Sequence, residues 1–282
     1  MAQRLRVLEL FAGIGGCAAA VSARADVVTA VETDPEAITI YRDNFEFPFC
    51  DQPVESLPTE WFRNCAADVW WMSPPVLPYV HAGLRRELDD PRSKGLLHVF
   101  EQVQTIKPRY LALECVPNFD KSLTRQVLLE SLAESGYEWQ ETQTCPTDLG
   151  FPNQRRQYYL VAGRDELQAW KPLNSTQKFP LSATLDKTAP DELTVAPELL
   201  AMHRGTMHVV DATDPAARPS CFTSDYGRSM NKTGSYLREA ARVRHFSPTE
   251  MLRQLGFPQS FTLPKPISRA TAWRLVGSSS SV

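Results

Sequence analysis

The feature that most constrains this chain is its beginning. A short apolar run, Arg6–Phe11, ends in Ala12-Gly13-Ile14-Gly15-Gly16. A helical stretch from Ala18 to Ala25 follows, and a second apolar run, Val27–Val31, stops at Glu32. Strand, glycine-rich turn, helix and strand form a βαβ unit. Two strands joined by a helical crossover must run parallel, which commits the chain to an α/β architecture. Asp34-Pro35 then opens another helix, with an acid at the cap and proline in the first turn.

The alternation continues. Asp68–Ser73 (DVWWMS) reads as a buried strand stopped by Pro74-Pro75, Leu96–Val103 has helical periodicity, and Tyr110–Glu114 is another strand. Leu123–Ser135 reads as a helix and Gln157–Ala162 as a late strand. The expectation is a doubly wound, mostly parallel sheet of Rossmann-like type with helices on both faces. From Asp165 to about Glu239 the pattern gives way to prolines, Ser/Thr clusters and short apolar runs. Residues 166–239 are therefore expected to form a small loop-rich recognition lobe, set into a catalytic domain of residues 1–165 plus 240–282. Ser247-Pro248-Thr249-Glu250 is a helix-start signal, and Gly256 a stop.

Composition narrows the function. With 43% hydrophobic and 22% charged residues over 282 positions, the chain can bury a core and is not of the disordered class. No apolar run approaches the roughly 20 residues of a membrane helix, and no signal-peptide stretch opens the sequence, so an intracellular, cytoplasmic protein is expected. A net charge of −3 gives no whole-chain basic footprint for nucleic acid. Cys17, Cys50, Cys65, Cys115, Cys145 and Cys221 are scattered singly, and the five histidines have no metal-ligand spacing. No metal is expected; an organic cofactor is.

The turn at Ala12–Gly16 by itself only lets a helix pack closely on a sheet. Glu32 sharpens it, because a carboxylate at the end of the second strand can accept both hydroxyls of a ribose. The glycines do not spell G-x-G-x-x-G, and no Walker lysine motif is present. An adenosine ligand without a pyrophosphate fits best, and S-adenosylmethionine is the candidate.

Five blocks then occur in order: Leu10–Gly16 (LFAGIGG), Ser73-Pro74-Pro75, Asp89–Ser93 (DDPRS), Leu113-Glu114 and Gly150–Arg155 (GFPNQR). They resemble the ordered motifs of the DNA cytosine-5 methyltransferase family, across nearly the whole chain. Cys221-Phe222-Thr223, Thr233-Gly234-Ser235 and Arg244–Pro258 are most similar to its tRNA-methylating (tRNA-aspartate) branch. The resemblance implies S-adenosylmethionine-dependent methylation of cytosine C5 in DNA or tRNA; a monomer with no membrane partner is expected. In that chemistry a cysteine thiolate adds to C6 of a flipped-out cytosine while a glutamate holds N3 and the amino group.

The resemblance fails at the nucleophile. The family's Pro-Pro-Cys-Gln is Pro74-Pro75-Val76-Leu77 here, and valine forms no bond to C6. Glu-Asn-Val has become Glu114-Cys115-Val116; the second arginine of Arg-x-Arg is Gln157; Gly-Asn-Ser is Gly277-Ser278-Ser279. So many coupled changes read as divergence rather than a knock-out at one position. Cys115 can be a small half-buried residue after a strand, or the nucleophile moved to the neighbouring loop, where related RNA methyltransferases carry theirs. Relocation to Cys115 is the reading adopted. It requires the strand to end before Cys115, since neighbours on an extended chain face opposite ways. The alternative is a pseudo-methyltransferase that binds cofactor or nucleic acid without turnover; a different reaction on a flipped base is a third.

By resemblance, Glu114 holds the base and Arg155 supports the substrate or its loop. Phe11, Ala12, Gly13, Gly15 and Gly16 wrap the methionine part of the cofactor, and Glu32 takes the ribose. Thr33, Asp51 and Leu97 border the adenine, Pro75 lies beside the sulfonium, and Ser278 and Ser279 hydrogen-bond the cofactor. Val76, His81, Arg85, Arg86, Gln157, Cys221, Thr223 and Arg228 fall at substrate positions, with Arg218 and Lys232 completing a modest basic cluster. Trp70 and Trp71 are read as core, and Cys17 as helix packing.

Overall fold

The structure, a computed structural model, describes residues 4–79, 87–171, 175–230 and 233–282. By internal contacts it divides into two compact units. The first comprises residues 1–38, 45–144 and 156–171; the second, 39–44, 145–155 and 172–282.

The first unit is built as the alternation implies. β1 (Leu5–Leu10) leads through the glycine turn to α1 (Gly16–Val21), and β2 (Ala25–Val31) to α2 (Pro35–Asn44), whose residues 39–44 are counted with the second unit. The Asp34 carboxylate accepts the Glu36 and Ala37 N–H groups, so the cap expected from Asp-Pro forms. β3 (Phe49–Cys50), α3 (Thr59–Cys65), β4 (Val69–Met72), α4 (Lys94–Ile106), β5 (Tyr110–Cys115), α5 (Leu123–Glu134), β6 (Glu138–Thr144) and β7 (Gln157–Gly163) follow. They form a seven-stranded sheet of order β3-β2-β1-β4-β5-β7-β6. The pairs from β3 to β5 are parallel, whereas β7 is antiparallel to both β5 and β6.

Alternate residues of the strands face different layers. Leu8, Leu10, Trp70, Met72, Leu111 and Leu113 meet Leu96, Val99, Phe100 and Val103 of α4 in one buried cluster. Burying each such side chain contributes about 1.5–3 kcal/mol, so α4 is held mainly by that face. On the opposite layer Val7, Val69 and Trp71 pack with Cys17 and Val21 of α1. The order reverses direction between β1 and β4, and in open sheets of this kind ligands sit at the carboxyl ends of the strands flanking such a reversal.

The second unit contains α6 (Pro197–Met202), β8 (His208–Asp211), β9 (Ser235–Glu239), β10 (Arg242–Arg244), α7 (Pro248–Gln254) and α8 (Arg269–Ser278). Its small sheet has the order β10-β9-β8. Residues 240–282, expected to rejoin the first domain, group instead with this unit. Arg244 supplies a physical reason: fully buried, it binds Glu239 on β9 and Glu250 on α7, tying the C-terminal segment to the small sheet. Trp273 of α8 adds a second tie, donating to the Phe246 carbonyl.

Candidate cofactor and base site

The glycine turn is held in a shape that few residues adopt. Phe11 has φ of 58°, in the left-handed region where a non-glycine residue costs on the order of 1–3 kcal/mol. Gly13 and Gly15 have φ of 54° and 92°, which explains glycine at both. A side chain added at Gly13 would meet nothing within 4 Å, so the backbone there faces open space. One added at Gly95, by contrast, would come within 3.1 Å of the Phe11 ring, which lies against the start of α4.

Glu32 closes this turn. Its Oε2 accepts the Gly13 N–H at 2.9 Å, and its Oε1 accepts those of Thr33 and Asp34 at 2.7 and 3.0 Å. A carboxylate offers about four lone-pair sites, so room remains for a ribose hydroxyl. The Glu32 N–H bonds the Cys50 carbonyl, which brings Asp51, next in the chain, to the same edge. Ser73 N–H bonds the Leu10 carbonyl, placing the exposed Pro75 and Val76 beyond the carboxyl end of β4, next to β1. Leu97 is half-buried on α4, and Thr33 is exposed. An open glycine cradle, a fixed carboxylate and adjacent apolar side chains are a donor set that fits an adenosyl ligand.

One carboxylate at this turn escaped notice in the sequence. Glu9 on β1 is 1% exposed, and its Oε1 accepts the Ala18 N–H in the first turn of α1 at 3.3 Å. The available signal was an acid inside an otherwise apolar strand.

At the end of β5, Glu114 is buried, and its Oε1 accepts the Gln157 amide N–H at 2.6 Å. The family's guanidinium is thereby replaced by a neutral donor that still fixes the acid. Cys115 goes the other way. The strand does not end before it: Cys115 pairs with Tyr158, and Glu114 with Tyr159. Its side chain therefore shares a layer with Tyr158, inside the core cluster that also holds Phe119 and Tyr79, and is 0% exposed. Burial first, and the neighbouring Glu114 charge second, push its thiol well above the ordinary cysteine range. The requirement stated for relocation, a strand ending before Cys115, is not met in this conformation.

Arg155, Cys221, Thr223, Arg218, Arg228, Ser278 and Ser279 lie in the second unit. Arg155 is buried and spends its guanidinium on structure. Nη1 reaches the Cys221 Sγ at 3.0 Å and the carbonyls of Phe222 and Gly277, while Nη2 reaches the Ser279 carbonyl at 2.6 Å. It thus ties the Cys-Phe-Thr segment to the end of α8. The Ser278 hydroxyl bonds the Arg274 carbonyl and that of Ser279 the Ser280 carbonyl. Thr223 Oγ1 accepts the Asp225 N–H, Arg228 is exposed, and Arg218 bonds nearby carbonyls. His81, Arg85, Arg86 and Lys232 fall outside the described residues. Trp70 and Cys17 are buried, as expected of core residues. Among the described residues no cluster of three or more His, Cys, Asp or Glu side chains could hold a metal ion. No helix among them is long and apolar enough to cross a membrane.

The chain is similar along nearly its whole length to several known proteins. The human tRNA (cytosine(38)-C(5))-methyltransferase is 26% identical, over 99% of this chain and 96% of its own. The enzyme of that name from Schizosaccharomyces pombe is 27% identical, over 99% and 94%. A Dictyostelium discoideum DNA (cytosine-5)-methyltransferase is 25% identical, over 99% and 92%. Among solved structures, the Entamoeba histolytica methyltransferase EhMeth superposes with a TM-score of 0.92 at 24% identity, covering 99% of this chain and 94% of its own. S. pombe Dnmt2 gives 0.88 at 25% identity, covering 99% and 95%. The profile described as C-5 cytosine-specific DNA methylase matches residues 5–202, and the chain belongs to that family.

Proposed function

We propose that this protein is an S-adenosylmethionine-dependent methyltransferase acting on C5 of a cytosine in nucleic acid, with tRNA as the substrate. The observation that carries the reading is Glu114, a buried carboxylate fixed by Gln157 at the carboxyl end of β5. A carboxyl group there can hold N3 and the amino group of an extruded cytosine and stabilise the charge that develops on the ring. The names of the relatives favour tRNA over DNA.

When bound, S-adenosylmethionine supplies an electrophilic methyl group. Glu32 would take its ribose, Phe11, Ala12, Gly13, Gly15 and Gly16 would wrap its methionine part, and Thr33, Asp51 and Leu97 would border the adenine. Pro75 would lie beside the sulfonium.

Attack by Cys115 is the step this conformation resists. For the thiol to reach the face that Glu114 occupies, the last pair of β5 with β7 must open and the residue must turn over. The burial of Cys115 together with valine at position 76 favours a second reading: a family member that holds cofactor and tRNA without turnover.

Covalent trapping separates the two. Wild type, Cys115→Ala and Cys221→Ala are incubated with labelled S-adenosylmethionine and tRNA or DNA containing 5-fluorocytosine. A denaturation-resistant adduct on tRNA, lost only in Cys115→Ala, establishes the methyltransferase with its relocated nucleophile. Cofactor binding with no adduct on either polymer establishes the second reading.

A further inference from the structure

We propose that the cavity at the N-terminal ends of α7 and α8 is a nucleotide site, holding the base and phosphate of an RNA residue other than the reacting cytosine. The inference rests on reading the protein as one that binds tRNA.

The cavity lies wholly within the second unit and has a volume of about 250 Å³. Its walls are apolar: Leu193, Leu263, Ile267 and Ala272, with three prolines between them. Among the described residues, Lys265 and Arg269 are the only charged side chains that line it; no carboxylate does. Both are exposed, and neither forms an ion pair among the described residues. The Arg269 guanidinium rests over the Trp273 ring, 5.4 Å from its centroid, which fixes its position without spending its charge on an acid. The Ser247 hydroxyl is committed to Asp186, and Asp186 in turn to Arg253. α8 begins at this rim, so the positive end of a ten-residue helix adds to the two charges. The Arg155 bonds to the Gly277 and Ser279 carbonyls lie at the other end of α8, about 12 Å along its axis, so the cavity is separate from that junction.

An apolar slot with an unopposed positive rim selects a ligand that is apolar at one end and anionic at the other. The volume falls below the roughly 300–1,000 Å³ of pockets for drug-sized ligands, which suits a single base better than a peptide or a lipid chain. A nucleotide has this form, with its base in the slot and its phosphate at Lys265 and Arg269. The exposed Thr249 hydroxyl, which bonds nothing else among the described residues, is free for a ribose or a base edge. The whole chain carries a charge of −3, so it holds a polyanion not by its mean charge but where cations stand unpaired. Arg242, Arg244 and Arg253 of this unit are neutralised by carboxylates; Lys265 and Arg269 are not. Phosphate contact supplies salt-dependent affinity and register, and the slot adds a contribution that salt does not screen.

The test is filter binding of labelled tRNA to the full chain over a series of salt concentrations. Lys265→Ala combined with Arg269→Ala is expected to weaken binding on the order of tenfold and to reduce the slope of log Kd against log salt by about 1 to 2. Ile267→Ala trims the slot without touching charge, and is expected to weaken binding on the order of threefold at unchanged slope. Leu263→Ala takes its place should that variant fail to fold. Lys178→Ala, an exposed lysine elsewhere in the unit, controls for lost charge and should leave affinity and slope near wild type. A double variant that binds and titrates as wild type, or no differently from Lys178→Ala, overturns the site. So does a folded slot variant with wild-type affinity, or sedimentation showing the cavity covered by a second copy of the chain. Wild type that binds no tRNA at all overturns the RNA reading itself, and this inference with it.

Discussion

At the scale of single residues, the molecule turns on two positions that exchange their expected roles. Val76 is 37% exposed on the loop after β4, where a nucleophile would be reachable, and Cys115 is a reachable residue type placed where nothing reaches it. A thiol must ionise to attack, and burial opposes ionisation. Native labelling with iodoacetamide at pH 8 should therefore modify the half-exposed Cys50 and Cys221 well before Cys115, whereas in denaturant all should react. Mass spectrometry of the digested protein reads this directly; Cys115 labelled as fast as Cys221 would mean that the end of β5 opens readily. Val76→Cys puts the thiol back on the exposed loop. Because the position is at the surface, the change should shift stability by no more than about 0.5 kcal/mol. If Glu114 still holds a cytosine, this variant should form the 5-fluorocytosine adduct on tRNA in greater yield than wild type. An unchanged yield would show that Gln157 or the loop, not the missing sulfur alone, limits the reaction.

At the scale of elements, local signals predicted what local forces hold. Ser247-Pro248-Thr249-Glu250 announced α7, and the structure closes a full capping box there: Ser247 Oγ accepts the Glu250 N–H and the Glu250 carboxylate accepts the Ser247 N–H. Ser247 Oγ also donates to Asp186 at 2.6 Å. Ser247→Ala should cost about 1–2 kcal/mol, the upper part of the range for a lost cap, seen as a lower denaturant midpoint at unchanged slope. A loss below about 0.3 kcal/mol would mean that Pro248 alone sets the helix start. The strands from β1 to β5 were legible for a related reason: buried on both faces, they read as continuous apolar runs, β3 excepted, whose two residues leave no pattern. β6, Glu-Trp-Gln-Glu-Thr-Gln-Thr, was not, because it lies at the sheet edge, exposes part of nearly every side chain and so carries no apolar period. The facing of Cys115 was illegible too. It depends on whether β5 continues for one more residue, and that is decided by its pairing with Tyr158, far along the chain. The membership of residues 240–282 failed likewise, through the Arg244 contacts with two carboxylates, which no local pattern announces.

At the scale of the whole molecule, the titrating groups give each unit its own response to acid. In the first unit Glu141, which partial burial works to raise, is nonetheless held below the ordinary glutamate range by Arg125 and the Tyr158 hydroxyl. In the second, the Arg244 hydrogen bonds hold Glu239 low against its partial burial. A carboxylate whose folded value is depressed stabilises the fold above its unfolded value, about 4.3, and that contribution is lost as pH falls through the folded value. Both units should therefore weaken below about pH 4.3. The second unit carries an earlier sensitivity. His245 packs edge-on against Tyr226 and Tyr236 and tilted against Trp273, and burial lowers it; the Leu193 carbonyl works the other way, and Arg269 lowers it further. The folded form then binds a proton less readily than the unfolded chain, so stability declines as pH drops below the unfolded value, about 6.5. Trp273 is the one tryptophan of the second unit, and its fluorescence, taken as the difference between wild type and Trp273→Phe, reports on it. Urea midpoints read this way should fall between pH 7 and 5, while those from the remaining tryptophans hold until carboxylate protonation begins. His245→Gln should remove the upper step and leave the lower one, and Glu239→Gln should do the reverse. Parallel decline of both signals from pH 7 downward, unaffected by His245→Gln, would place the sensitivity in groups other than these.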